Sequence, residues 1–207
     1  MSISVLEFQP FSFLEVKDGA MLDKIFEFRY KVLKESKIFQ DYFRTIESPS
    51  GKEQDRYDPY SVNFVALNQD GEIAATMRLI YNSPIGYPTE NDMSFDNGMF
   101  ERDKLGEMSR IFIDAKYRDM KRTKVILQGL KELMYHKFLQ LGIEYTYGAL
   151  EPRFVRLLKM YQMRYKIIGE KQLHGKMGLR FPCILYTKRL GKDNPEIVKL
   201  WSKHNDL

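Results

Sequence analysis

Cysteine is almost absent from the 207-residue sequence, where Cys183 stands alone. That excludes a disulfide framework and a cysteine-rich zinc site. No run approaches the ~18 consecutive apolar residues of a membrane-spanning helix. The opening stretch, MSISVLEFQPFSFLEVKDG, lacks the basic-then-apolar plan of a secretory signal. The expectation is a cytoplasmic protein with no transmembrane segment. Internal repeats, low-complexity tracts and linker-like composition breaks are missing too, so residues 1–207 read as a single domain. Charge of one sign is scarce: Lys plus Arg is 33, Asp plus Glu is 28, and the net charge is +5. So mild an excess suits an acidic partner of any kind and does not single out nucleic acid. Apolar residues are plentiful, at 43% hydrophobic and 14% aromatic, which excludes wholesale disorder.

Helical and strand patterns alternate along the chain, which predicts an α/β fold. Residues 11–16 (FSFLEV) read as a first strand. Residues 20–37 carry the helical stripe Leu22, Ile25, Phe26, Val32 and Leu33. Residues 40–60 are polar and read as a long loop, a feature often functional or disordered. Residues 62–67 and 72–81 read as two strands joined by the turn Asn68-Gln69-Asp70-Gly71. After a loop-rich stretch over 82–104, residues 106–114 (GEMSRIFID) form another strand. The helix that follows has Ile126, Leu130, Leu133, Met134, Phe138 and Leu141 on its apolar face and Gly142 beyond its end. A strand over 143–150, a helix opening at Pro152, strands near 165–169 and 183–189, and a short helix over about 195–205 complete the pattern.

Four charged features sit where charge is costly. Arg29 lies four residues after Ile25 and four before Leu33, along the apolar face of its own helix. Either it snorkels to the surface or it is buried against an anionic partner. Glu53-Gln54-Asp55-Arg56-Tyr57-Asp58 packs three carboxylates into six residues. That is a solvated acidic loop or a site, and it lacks the Asp/Asn ladder and glycine of a calcium loop. Arg78 emerges with Thr76 on the strand face opposite Ile73, Ala75, Met77 and Leu79. Glu107-Met108-Ser109-Arg110 opens an apolar strand. Strict alternation puts Glu107 and Ser109 on one face and Arg110 on the other. A local bulge would bring Glu107 and Arg110 together, and bulges favour active sites. These charges neutralise one another only if they converge, and a convergent buried cluster is a candidate site. No metal is assigned to it.

The succession Arg29, Glu53-x-Asp55-x-x-Asp58, Arg78-Leu79 and Glu107-x-Ser109-Arg110 resembles the acyl-homoserine-lactone (autoinducer) synthases, relatives of the GNAT-type N-acetyltransferases. Further stretches resemble a sister group, the long-chain N-acyl amino acid synthases and the acyltransferases found with exosortase (PEP-CTERM) systems. These are Phe28-Arg29-Tyr30-Lys31-Val32, Pro88-Thr89-Glu90, Tyr117-Arg118, Glu151-Pro152-Arg153, Ile168-Gly169, and His174-Gly175 leading to Leu179-Arg180-Phe181-Pro182. The resemblance covers roughly residues 20–190. There are departures. The tryptophan that autoinducer synthases carry after the first helix is absent. The glycine-rich pyrophosphate loop of acetyltransferases is also absent, since residues 118–124 read RDMKRTK. Glycines there let backbone N–H groups approach a pyrophosphate. Their loss counts against coenzyme A as the preferred donor and is compatible with a carrier protein.

The resemblance implies a GNAT-like α/β domain, a mixed central sheet flanked by helices, with no tightly bound cofactor. It implies a fatty-acyl group moved from an acyl-carrier-protein or coenzyme A thioester to the amine of an amino-acid-like acceptor. Glu107 is expected as the base. Asp55 and Asp58 are expected to help bind the acceptor's ammonium group and relay its proton. Arg29, Arg78 and Arg110 would orient those carboxylates, with Glu53 and Ser109, and hold the acceptor's carboxylate. Backbone N–H groups near Ile111–Ile113 would stabilise the oxyanion. Tyr161 either protonates the leaving thiolate or is an ordinary packed tyrosine. Lys116, Arg118, Lys121, Arg122 and Lys124 form either a carrier-protein docking rim or a solvated basic face. Three other readings stay open: an autoinducer synthase using S-adenosylmethionine, a non-catalytic lipid- or carrier-binding protein, and a nucleic-acid module. The last is disfavoured because the acidic cluster repels phosphate.

Overall fold

The structure, a computed structural model, describes residues 6–8, 10–17, 19–45, 50–98 and 100–199. In chain order its elements are strands β1 (Leu6–Phe8) and β2 (Phe11–Val16), helices α1 (Ala20–Glu35) and α2 (Gln40–Phe43), strands β3 (Ser61–Leu67) and β4 (Ile73–Tyr81), and the short helix α3 (Pro88–Asp92). Then come strand β5 (Leu105–Ile113), helix α4 (Met120–Leu141), strand β6 (Tyr145–Leu150) and helix α5 (Pro152–Met160). Strands β7 (Lys166–Ile167), β8 (Gln172–Leu173) and β9 (Leu179–Tyr186) precede helix α6 (Thr187–Asp193). The strand order across the sheet is β1-β2-β3-β4-β5-β6-β9-β7, with β8 pairing on β9. Among the described strands, β5 and β6 form the one parallel pair. The sheet is thus mixed and flanked by helices.

Helices cover both faces of the sheet, which is why β3 and β4 are buried almost throughout. Alternation along β3 sends Phe64 and Ala66 one way, into a core shared with Ile126, Leu130, Met134 and Phe138 of α4. Val65 and Leu67 go the other way, onto Ile25 and Phe26 of α1. Gly129 of α4 lies so close to β2 that a Cβ there would sit 2.4 Å from the Phe13 ring. The helix ends where expected: Gly142 takes a left-handed φ of 67°, and the Ile143 amide donates to the Phe138 carbonyl at 2.9 Å.

Three expectations need correction. Residues 40–60 are not all loop, since α2 opens the stretch and the chain tightens into a 3-10 turn at Asp58–Tyr60. The stretch 82–104 contains α3, where Pro88 starts the helix and Glu90 Oε1 accepts from the Tyr87 amide at 2.9 Å. The last long strand begins at Leu179 and ends at Tyr186, and residues 187–189 belong to α6. Thr187 turns the chain there, its Oγ1 donating to the Ile143 carbonyl at 2.7 Å. Residues 195–199 are helical; the rest of the helix expected over 195–205 lies outside the described residues.

One feature of the sheet positions the site. β5 and β6 pair over only three residues, Leu105 to Glu107 against Tyr145 to Tyr147. Beyond Glu107 the two strands part. β5 keeps pairing with β4 on its other edge, and β6 keeps pairing with β9.

Candidate active site

The gap between β5 and β6 opens into a cavity of about 430 Å³. Met108 to Ile113 of β5 form one wall and Ala149 and Leu150 of β6 another. Phe154 and Leu157 of α5, with Val32 and Phe39 near the end of α1, add apolar surface. Glu107, Ser109 and Arg110 reach this cavity, as do Tyr161, His174 and Arg180.

A bulge sets the phase of these side chains. Arg78 pairs with Ser109 and Thr76 with Phe112, which leaves Met77 opposite both Arg110 and Ile111. The extra residue is absorbed by Arg110, held at a left-handed φ of 52°. Thr76 Oγ1 pins it, donating to the Arg110 carbonyl at 3.1 Å. The bulge therefore brings Arg110 to Glu53 and Asp55 of the acidic stretch. Glu107, which sequence spacing paired with Arg110, is bonded elsewhere.

Arg110 meets three partners. Its Nε donates to Glu53 Oε1 at 2.9 Å, and its Nη2 donates to Asp55 Oδ2 and to the Tyr42 hydroxyl, each at 2.8 Å. Arg78 grips Asp55 with two bonds, Nη1 to Oδ1 at 2.7 Å and Nη2 to Oδ2 at 2.9 Å. Its Nε donates to Ser109 Oγ at 3.0 Å. Arg29 is fully buried, donating to Asp58 Oδ1 at 2.8 Å and to Asn63 Oδ1. Three guanidinium groups thus face three carboxylates, Glu53, Asp55 and Asp58. Burial alone would raise the Asp55 carboxyl, but Arg78 and Arg110 outweigh it and hold the group well below the usual range. Asp58 is lowered in the same way by Arg29 and Arg78. Among the described residues no group of three His, Cys, Asp or Glu side chains is placed to hold a metal ion.

Glu107 has a different environment. It is 2% exposed. Its Oε1 accepts from Thr89 Oγ1 at 2.8 Å and its Oε2 from the Thr89 amide at 2.9 Å. Burial pushes its carboxyl up to about 8 against the downward pull of those two bonds. A carboxyl in that range exchanges its proton near neutral pH, as a general base must.

Of the residues singled out from sequence, Glu107, Ser109, Arg110, Tyr161 and Arg118 line the cavity. Arg29, Glu53, Asp55, Asp58 and Arg78 stand behind it. Within the basic stretch, Lys116 pairs with Glu72 at 3.3 Å, Arg122 pairs with Asp119, and Arg118 Nε donates to the Ile113 carbonyl at 2.9 Å. Sequence reasoning missed the parts played by Tyr42, Asn63, Thr89 and His174. Thr89 and His174 lay inside stretches that carried the resemblance, but nothing in their spacing shows what they touch.

The chain matches a family model, described as N-acyl amino acid synthase FeeM, over residues 24–188. Solved structures share the fold at low identity. FeeM, an N-acyl amino acid synthase from uncultured soil microbes, superposes with a TM-score of 0.65 at 14% identity, over 89% of this chain and 95% of its own. The acyl-homoserine lactone synthase BjaI, solved with SAM and isopentyl-CoA, gives 0.62 at 16% identity, over 86% and 82%. A putative N-acetyltransferase from Lactobacillus plantarum gives 0.58 at 13% identity, over 86% and 99%. No curated protein sequence matches the chain significantly.

Proposed function

The chain belongs to the N-acyl amino acid synthase FeeM family, and we propose that it moves a fatty-acyl group from an acyl-carrier-protein thioester to the amine of an amino-acid-like acceptor. It is an acyltransferase; the donor and the acceptor class are the proposal, with coenzyme A as the other donor. The observation that carries this reading is the cavity between β5 and β6. Its walls are largely apolar, and the titratable Glu107 stands at the point where the strands part.

In this reading the acyl chain lies against Met108, Phe112, Phe154 and Leu157, and the thioester carbonyl points at β5. The β5 edge that faced β6 is free of strand partners beyond Glu107. Backbone N–H groups near Ile111–Ile113 then meet the oxyanion. Glu107 takes a proton from the attacking nitrogen. Arg110 holds the acceptor's carboxylate. Arg29, Arg78, Glu53, Asp55 and Asp58 act behind it, fixing Arg110 and Ser109 in place. Tyr161 at the cavity wall returns a proton to the leaving sulfur. The exposed Lys121 and Lys124, with Arg118 at the opening, steer an acidic carrier protein.

The test is mass spectrometry of products after incubation with palmitoyl carrier protein or palmitoyl-CoA, the amino acids and S-adenosylmethionine. An N-acyl amino acid is the expected product. An acyl lactone would make the chain an autoinducer synthase, and no acyl transfer from either donor would overturn the reading.

A further inference from the structure

Three arginines around the site face carboxylates of this chain. Arg29 meets Asp58, Arg78 meets Asp55, and Arg110 meets Glu53 and Asp55. A fourth, Arg180 of β9, has no such partner. It is 7% exposed, and its Nη1 donates to the Leu179 carbonyl at 3.1 Å. Among the described residues no carboxylate forms an ion pair with it. Burial lowers its pKa, and Glu151, just before α5, opposes that only from longer range. A buried guanidinium without an anion is costly, and this one lines the cavity.

The end of a strand ladder puts it there. β6 and β9 pair as far as Leu150 against Phe181. Arg180, the neighbour of Phe181, lies past the end of that ladder and pairs with Gln172 of β8 instead. Its side chain reaches the cavity that the last residues of β6, Ala149 and Leu150, also line. The bond from Nη1 steadies the head and leaves Nε and Nη2, the edge that meets a carboxylate with two parallel bonds. Neither atom has a protein partner, and neither is sealed from the probe of solvent. Arg110 alone offers less. Its Nε and Nη2 are bonded to Glu53, Asp55 and Tyr42, which leaves Nη1. The two arginines stand at the same end of the cavity, since both add to the effect of burial in lowering the pKa of one ring, that of His174.

We propose that Arg180 binds the acceptor's carboxylate through Nε and Nη2, beside Nη1 of Arg110, so that the acceptor is an amino acid with a free carboxylate and not a simple amine, an ester or an amide. This deepens the reading above and rests on it. An amino acid carries its carboxylate close to the reacting nitrogen, so the group that holds it stands inside the cavity, as Arg180 does. The phosphate of either donor lies at the far end of the pantetheine arm, away from the thioester, and belongs nearer the opening. A carboxylate on Arg180 supplies the anion that the chain itself does not. A neutral amide or ester leaves the guanidinium buried and unpaired, which is how a polar site rejects an analogue that lacks the matching group. Arg180 takes no part in proton transfer, which stays with Glu107.

The experiment compares wild type with Arg180→Met and Arg180→Lys. The readouts are kcat and KM for the amino acid the wild type accepts and for its carboxamide, with palmitoyl carrier protein as donor, and KM for that donor. Wild type should use the amino acid far better than the carboxamide. Losing a hydrogen bond between charged groups costs about 10- to 100-fold. Arg180→Met should raise KM for the amino acid by that factor and leave the carboxamide and the donor nearly unchanged. Arg180→Lys keeps the charge without the two-bond edge and should fall between. An Arg180→Met variant that keeps the wild-type preference overturns the proposal, and so does an equal loss with acid and carboxamide. A loss confined to the donor's KM also overturns it and moves Arg180 to the donor's phosphate. Should both variants fail to fold, wild type decides: a strong preference for the amino acid supports the proposal, and equal use of the carboxamide overturns it. A wild type that transfers no acyl group to either would instead overturn the reading of the reaction.

Discussion

A carboxyl group sealed from water holds on to its proton, and Glu107 is sealed. Its base form appears only as the pH rises through about 8. So kcat/KM should climb across that range and flatten above it, and a profile already flat from pH 6 would remove Glu107 from the base role. Glu107→Gln keeps the shape but cannot take a proton. It should cost ~10²- to 10⁴-fold in kcat with an unchanged circular dichroism spectrum. The same shift fixes the sign of a stability effect. The folded group titrates near 8 and an unfolded one near 4.5. The protonated group's contribution is full below about 4.5 and is lost as the pH rises through about 8. Denaturant titrations should show wild-type stability falling over that interval, and Glu107→Gln should remove much of the fall. Sequence singled out Glu107 because a carboxylate at the start of an apolar strand is costly, and the family resemblance implied its role as a base. Thr89, which holds it, was not legible because the contact spans 18 positions of chain.

At the scale of elements, the site depends on one extra residue in β5. A bulge with a left-handed first position favours glycine, and Arg110 takes that position instead. Charge holds it there: Glu53 and Asp55 pull its side chain to the face of Ser109 and Arg78. This is why alternation misplaced Arg110, while the positions of Arg29 and Arg78 followed from the apolar stripes around them. The network is neutral as a whole, and removing one member leaves a buried charge. Asp58→Ala strips Arg29 of its closest carboxylate, leaving Glu53 at 3.7 Å. Breaking such a pair typically costs about 3–5 kcal/mol. Urea unfolding should show a loss of that order, with stability that no longer falls away as acid protonates position 58. A loss under about 1 kcal/mol would mean that Glu53 and Asn63 suffice to hold Arg29.

Across the whole molecule, the layer order was legible because long helices and strands announce themselves by period. Short elements do not. The four residues of α2 and five of α3 fall below any periodic signal, yet α2 supplies Tyr42 and α3 supplies Thr89. The parting of β5 and β6, which makes the cavity, has no signature in composition, because where their ladder ends depends on pairing between strands distant in sequence. Docking is likewise a property of the whole surface. The basic stretch before and into α4 is partly spent: Lys116 and Arg122 face Glu72 and Asp119. The residues to reverse are therefore Lys121 and Lys124, both exposed on the first turns of α4. On the proposed function, a carrier protein would meet them with a large acidic face, and coenzyme A only through a few phosphates. The double change to Glu should raise KM for palmitoyl carrier protein several-fold while affecting palmitoyl-CoA less. The carrier-protein effect should fade with added salt, because screening shortens the reach of exposed charges to about 8 Å at physiological ionic strength. Equal loss with both donors would place those lysines outside any docking face and return them to an ordinary solvated surface.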